Sequence, residues 1–249
     1  MMSERVQTGI PGLDPLLSGG LPRGRSILLS GTCGTGKTTL AVQFLNEGIN
    51  QFNEPGILVT LEQDTNELYN DMLSLGVDLK KHQDAGKLII IDTSLSKAGI
   101  ASCVTQMKDE KQSFSLCPGD FNIDNLVALI TSSANKIGAK RVVIDSLPAL
   151  DYLMDDIQDV RKALINLNYK LKLNGLTTLL LTEGNDEEKI SHHGVEEYIS
   201  DGVIVLRINE ALDTRTIKIR KMRVTKHSLK PTTFEFTPDG IVVKSPKPL

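Results

Sequence analysis

Short apolar runs alternate along this chain with stretches whose apolar residues recur three or four apart. Ser26-Ile-Leu-Leu-Ser30, Gly56-Ile-Leu-Val-Thr-Leu-Glu62, Lys87-Leu-Ile-Ile-Ile-Asp92, Arg141-Val-Val-Ile-Asp145 and Thr177-Thr-Leu-Leu-Leu-Thr182 read as buried strands. Between them, Thr39 to Leu45 and Thr65 to Leu75 carry helical spacing, the second through Leu68, Met72 and Leu75. Ile123 to Ile137 places Ile123, Leu126, Val127, Ile130 and Ala134 on one helical face, and Ile157, Val160, Leu164, Leu167 and Leu171 mark another helix. Strands and helices in alternation predict an α/β fold: a mostly parallel central sheet with helices on both faces. Residues 93–120 interrupt the rhythm and read as a polar, irregular surface excursion. Beyond residue 201 the helices stop. Gly202–Ile208, Arg215–Arg220 and Thr233–Thr237 follow closely and read as antiparallel strands extending the sheet. Pro238-Asp-Gly240 is a turn, and Ile241–Val243 a last short strand.

Composition narrows the class. The chain has 249 residues without a low-complexity linker or internal repeat, so one domain over 1–249 is expected. The net charge of −3 gives no global basic footprint for nucleic acid. No apolar run approaches membrane-spanning length, and the first residues lack the apolar core of a secretory signal. Cys33, Cys103 and Cys117 suggest neither a disulfide framework nor a metal site. These features fit a cytoplasmic protein.

Gly31-Thr-Cys-Gly-Thr-Gly-Lys-Thr38 fits the phosphate-binding loop (Walker A) of nucleoside triphosphatases, between a strand and a helix as that loop requires. Glycines at 31, 34 and 36 let backbone N–H groups converge on phosphate oxygens, and the helix N-terminus adds positive potential. Lys37 can reach the β- and γ-phosphates, and Thr38 can offer its hydroxyl to Mg²⁺. Asp145 ends an apolar strand and reads as the second Mg²⁺ residue, against the alternative of a strand-end cap. Glu62 stands at a strand's carboxyl end, where ligands of open α/β sheets bind. It suits either activation of the attacking water or capping of the next helix. Lys221-Met-Arg223 suits either a solvated face or cationic fingers reaching a phosphate in another subunit. His192 and His193 read as loop histidines, since no Cys, Asp or Glu at metal-ligand spacing accompanies them. Cys33 reads as a small tolerated side chain in the loop.

Further segments carry a family resemblance. Thr8-Gly-Ile-Pro-Gly-Leu-Asp14, Gly19-Gly-Leu-Pro-Arg-Gly24 and the phosphate loop resemble the entry to KaiC-type domains of the RecA/RadA ATPase superfamily. So do Val59-Thr-Leu-Glu62, Val143-Ile-Asp-Ser146, Gly194-Val-Glu-Glu-Tyr-Ile-Ser-Asp201 and Lys221-Met-Arg223. The resemblance implies a RecA-like P-loop fold and ring hexamers with ATP and Mg²⁺ between neighbours. It implies that Gly34, Thr35, Gly36, Lys37, Thr38 and Thr39 bind phosphate, that Glu62 activates water, and that Ser74 contacts nucleotide. It implies that Lys221, Met222, Arg223, Thr225 and His227 reach the nucleotide from the adjoining subunit, Lys221 and Arg223 stabilising γ-phosphate charge. Gln63, Glu197, Tyr198 and Pro238 depart from the pattern, Pro238 standing where the family places an acid, which points to different base or ribose recognition. Gln63 replaces a second glutamate, which points to slow turnover. Glu197 and Tyr198 occupy the place of the clock kinase's phosphorylated Ser-Thr pair, which excludes autophosphorylation there.

The leading expectation is a ring-forming regulatory ATPase whose nucleotide state is read by another protein. The alternatives are a RadA-like recombinase paralogue binding single-stranded DNA and a nucleotide-binding interaction module with negligible turnover. The acidic balance and an aromatic content of 4% count against the first alternative, despite the dense cations from Arg215 to Lys226.

Overall fold

The computed structural model describes residues 4–93, 113–115, 123–152, 156–184 and 189–244. Cys103, Cys117 and most of the 93–120 excursion lie outside them. The five anticipated strands are β3 (Ser26–Gly31), β4 (Gly56–Thr60), β5 (Leu88–Asp92), β7 (Arg141–Asp145) and β8 (Thr177–Glu183). All pair in parallel, in the spatial order β3-β8-β7-β4-β5. Side chains alternate between two cores, as the two-residue strand period demands. On β5, Leu88 and Ile90 join the core beneath α2 (Lys37–Phe52), while Ile89 and Ile91 join the one beneath α5 (Ile123–Ile137) and α6 (Ile157–Leu173). Each such buried side chain contributes about 1.5–3 kcal/mol. The helices α3 (Thr65–Ser74) and α4 (Leu79–Asp84) add Leu68, Met72 and Leu79 to the first core. Asp64 caps α3 by accepting from the Asn66 N–H, and Asp156 caps α6 by accepting from the Gln158 N–H.

Three expectations need correction. The strand β9 (Gly202–Asn209) is antiparallel to β10 (Thr214–Met222) but parallel to β3, with Ile27 opposite Gly202. The chain between β8 and β9, including the short α7 (Glu196–Ile199), is long enough to return to the sheet's starting edge. The antiparallel extension therefore begins at β10 and continues through β11 (Thr232–Thr237) and β12 (Gly240–Val243). Within the 93–120 excursion, Ser113–Ser115 forms β6, parallel to β5. The second strand ends at Thr60 rather than Glu62, because Thr60 Oγ1 donates to the Gln63 carbonyl (2.6 Å) and turns the chain.

The N-terminal segment is a brace. β1 (Arg5–Val6) pairs with β2 (Leu21–Pro22), and a short α1 (Leu13–Leu16) lies between. Asp14 accepts hydrogen bonds from the Thr8 N–H (2.7 Å), the Thr8 hydroxyl (2.8 Å) and the Gly9 N–H (3.2 Å). A Cβ on Gly12 would stand 1.9 Å from the Val243 carbonyl oxygen, so only glycine lets this segment seal β12.

Candidate functional site

The phosphate loop joins β3 to α2 at the carboxyl edge of the parallel strands. Gly34 (φ 75°) and Gly36 (φ 93°) adopt left-handed backbone, the second as the N-cap of α2. Thr35 is buried, and its hydroxyl donates to the Thr32 carbonyl (2.8 Å); its side chain props the loop from within. Thr39 is half-buried on the first turn of α2. Lys37 Nζ folds back on the loop, donating to the carbonyls of Gly31 (2.8 Å) and Thr32 (2.9 Å). Burial lowers the Lys37 pKa against the opposing pull of Glu183, Asp145, Cys33 and Glu62. Those acids make this edge a natural seat for a cation.

Strand pairing gathers the remaining groups. Thr60 of β4 stands opposite Asp145 of β7, and the Leu61 N–H donates to the Asp145 carbonyl (2.6 Å). The two chains thus leave the sheet side by side, and the next residues meet: Ser146 Oγ donates to Glu62 Oε1 (2.7 Å). From the first turn of α2, Thr38 Oγ1 donates to Asp145 Oδ2 (2.7 Å). Thr38, Thr60, Glu62, Gln63, Leu68 and Asp145 line a cavity of ≈ 90 Å³. The donor set of Thr38 and Asp145 is all oxygen, which suits Mg²⁺ completed by phosphate and water. Gln63 Nε2 turns away to Asp71 Oδ2 (2.7 Å), leaving Glu62 as the carboxylate of this pair of neighbours that faces Ser146.

The other anticipated residues lie elsewhere. Ser74 ends α3, exposed, its hydroxyl donating to the Asp71 carbonyl (2.6 Å). Two residues on, Gly76 approaches the Pro238 carbonyl, and a Cβ on Gly36 would come within 2.5 Å of the Phe236 ring. The β11–β12 turn therefore runs along both the phosphate loop and the end of α3. Phe236 was not anticipated, because no local pattern reveals a contact spanning 200 positions. Met222 is 5% exposed and packs against Gly202; its side chain is a core group rather than a surface contact. Lys221 Nζ donates to the carbonyls of Glu197 (2.9 Å) and Ser200 (2.6 Å), and burial and Arg223 lower its pKa. Arg223 is exposed, its Nε 4.0 Å from Asp201 Oδ1. Thr225 Oγ1 accepts from Arg5 Nη1 (2.6 Å), and His227 Nδ1 lies 3.4 Å from the Ser228 carbonyl.

Register separates these two groups. Gly202 pairs with Ile27 of β3 on one side and with Met222 of β10 on the other. Met222 is thus level with the start of β3, whereas the phosphate loop leaves its end at Gly31. At about 3.3 Å per residue, four residues of strand put roughly 13 Å between the two edges. Among the described residues, no hydrogen bond or ion pair joins 221–227 to the phosphate loop.

A family model described as "ATPase: KaiC" matches residues 6–248. The circadian clock oscillator protein KaiC of Prochlorococcus marinus (strain MIT 9313) is 38% identical over 248 residues, covering 98% of this chain and 46% of that protein. KaiC of Thermosynechococcus vestitus (strain NIES-2133 / IAM M-273 / BP-1) is 39% identical over 227 residues, 90% of this chain and 41% of its own length. The chain thus spans less than half the length of these relatives. The crystal structure of a KaiC-like protein from the hyperthermophilic archaeon Pyrococcus horikoshii OT3 superposes with a TM-score of 0.81 at 39% identity. It covers 97% of this chain and 99% of that one. The phosphate loop, the paired strand ends that follow it and a match over nearly the whole length lead to one conclusion: this chain belongs to the KaiC ATPase family.

Proposed function

We propose that this protein is a single-domain, ring-forming regulatory ATPase that hydrolyses ATP at its subunit interfaces and works in the cytoplasm. The observation that carries this reading is the division of its residues between two edges of one sheet. Lys37, Thr38, Glu62 and Asp145 occupy the carboxyl edge, and Lys221 and Arg223 the opposite one. One chain cannot bring both sets to one phosphate without unpairing β9 and β10. Two chains placed edge to edge can, and cyclic repetition of that heterologous contact closes a ring, with a hexamer expected from the family.

In this reading the amides of residues 34–39 cradle the phosphates, and Lys37 exchanges its loop carbonyls for phosphate oxygens. Thr38 and Asp145 would hold Mg²⁺, which would supply charge neutralisation on the phosphates. Glu62, oriented by Ser146, takes the proton of the attacking water. Lys221 and Arg223 of the adjoining subunit stabilise the charge that builds on the transferred phosphoryl group, while Ser74, Thr225 and His227 border the nucleotide as the family suggests, and Met222, its side chain in the core, does so through its backbone. Hydrolysis then acts as a switch read by another protein. No autokinase activity on the clock-type pair is expected, since Glu197 and Tyr198 offer no serine or threonine hydroxyl there.

Phosphate release by the purified chain with Mg-ATP, followed together with light scattering, tests the proposal. Turnover that depends on Mg²⁺ and on Glu62, in a particle several chains in mass, is the expected result. A monomer that retains ATP without releasing phosphate would favour the interaction-module reading. The DNA-binding reading gains little from the cleft of ≈ 660 Å³ beside the loop. Lys189, Arg207 and Lys218 line it, but among the described residues no aromatic side chain does.

A further inference from the structure

Two loops that leave neighbouring strands at the carboxyl edge meet at His192, His193 and Asp151. Asp151 lies on the 3-10 turn Leu147–Tyr152 that follows β7. The two histidines precede α7, 41 and 42 positions later, so no local spacing betrays the group. The Asp151 carboxylate divides between them: Oδ2 lies 2.7 Å from His192 Nε2, and Oδ1 lies 2.6 Å from His193 Nε2. The rings stand edge to face, 4.8 Å apart at 84°, and both Nε2 atoms face the one carboxylate. All ligand atoms lie within 4.8 Å of one another.

Glu196 fixes the chemistry of this group. It is buried, and its carboxylate accepts from Thr182 Oγ1 (3.1 Å), the His193 N–H (3.1 Å) and the Val195 N–H (3.0 Å). His193 Nδ1, 3.0 Å from the same carboxylate, must therefore be a donor. Burial opposes protonation, but the hydrogen bonds to Glu196 and Asp151 raise the His193 pKa, so a metal ion at Nε2 would take the place of a proton shared with Asp151. Either a proton or a metal ion between Nε2 and Asp151 Oδ1 satisfies both atoms. A carboxylate holding the far nitrogen of a histidine whose near nitrogen faces a cation site is the usual outer partner of a metal-bound imidazole.

We infer that Asp151, His192 and His193 form a site for a borderline divalent transition metal ion such as Zn²⁺, separate from the Mg²⁺ and nucleotide residues. Two imidazoles and one carboxylate favour zinc over magnesium or calcium, which prefer oxygen. Metal–ligand bonds of about 2.0–2.2 Å in tetrahedral geometry need ligand atoms about 3.3 Å apart. Ligand atoms that now span up to 4.8 Å must close to that spacing, so His192 moves on its loop while Asp151, 46% exposed on a surface turn, withdraws. His193, 4% exposed, is the fixed member, and the solvent side leaves a fourth position for water or a further ligand. The ion would tie the turn that follows Asp145 and Ser146 to the segment whose end seats Lys221.

The test uses the full chain without an affinity tag, stripped with chelator, and titrated calorimetrically with Zn²⁺ in excess Mg²⁺ and without nucleotide. It therefore stands apart from the ATPase reading. One ion per chain at micromolar affinity or tighter is expected, with a rise in thermal midpoint. Co²⁺ should give the visible absorption of a low-symmetry nitrogen–oxygen site. Asp151→Ala, at an exposed position, and His192→Ala, at a half-buried one, should each weaken Zn²⁺ by about tenfold or more and abolish the thermal shift. His227→Ala should bind as the parent does. No binding by the parent chain, or undiminished binding in Asp151→Ala and His192→Ala, would overturn the assignment. In the first case the group is a proton-linked ion pair; in the second the metal sits elsewhere.

Discussion

Thr38 Oγ1 donates to Asp145 Oδ2 across 2.7 Å, joining the first turn of α2 to the end of β7. If both oxygens serve Mg²⁺, the hydroxyl matters only when the metal is present. Thr38→Val should lower affinity for Mg-ATP by about tenfold, roughly 1.4 kcal/mol. Affinity for metal-free ATP should change by less than about twofold, on the same scale. Fluorescent-nucleotide titrations with Mg²⁺ and with EDTA give both numbers.

Glu62 accepts its hydrogen bond from Ser146, and none of the described hydrogen bonds ties it to the phosphate loop, so its loss should spare binding. Glu62→Gln is expected to reduce phosphate release by about 10²–10⁴-fold, with ATP affinity nearly unchanged. Full turnover in this variant would remove Glu62 from the chemistry.

The two-edge arrangement predicts complementation. Lys37→Ala chains lack the phosphate lysine but keep Lys221, and Lys221→Ala chains are the converse. Each alone should be nearly inactive. Mixed and reassembled in equal amounts, they should recover roughly a quarter of parental activity, the statistical share of interfaces with both lysines intact. No recovery despite confirmed mixing would place both lysines in service of the same chain's site.

Arg141 begins β7 and is 1% exposed, clasped by Glu54 at 2.8 Å. It also donates to the carbonyls of Phe44 (2.9 Å) and Gln7 (2.8 Å) and lies 4.6 Å from the Phe44 ring centroid. Burial lowers its pKa, and Glu54 opposes that shift. Glu54→Ala leaves a buried charge without its counter-ion and should cost about 3–5 kcal/mol in urea unfolding. Arg141→Met with Glu54→Gln should cost less than Glu54→Ala alone.

His82 is buried on α4, with Nε2 2.8 Å from Asn46 Oδ1. Burial first, then Lys81, lowers its pKa from the ordinary value of 6.5. The folded state thus binds the proton less well than the unfolded chain. Stability linked to this residue is complete above pH 6.5 and is lost as pH falls through the folded value. Unfolding free energies across that range should decline toward acid in the parent chain and decline less in His82→Gln.

Much of this protein was legible in one dimension because its signals are local. The apolar runs ending at Asp92, Asp145 and Thr182 became parallel strands, since a strand buried on both faces must be apolar throughout. The loop from Gly31 to Thr38 declared itself because phosphate binding needs glycine backbone at fixed spacing. Tertiary structure alone decided which distant groups meet. Parallel pairing of Thr60 with Asp145 set Glu62 beside Ser146. Insertion of β9 alongside β3 put Lys221 and Arg223 on the far edge from Lys37, where sequence spacing left their role open. The meeting of Asp151 with His192 and His193 depends on two strands lying side by side, and strand order is set by the burial of whole faces, not by neighbours in the chain.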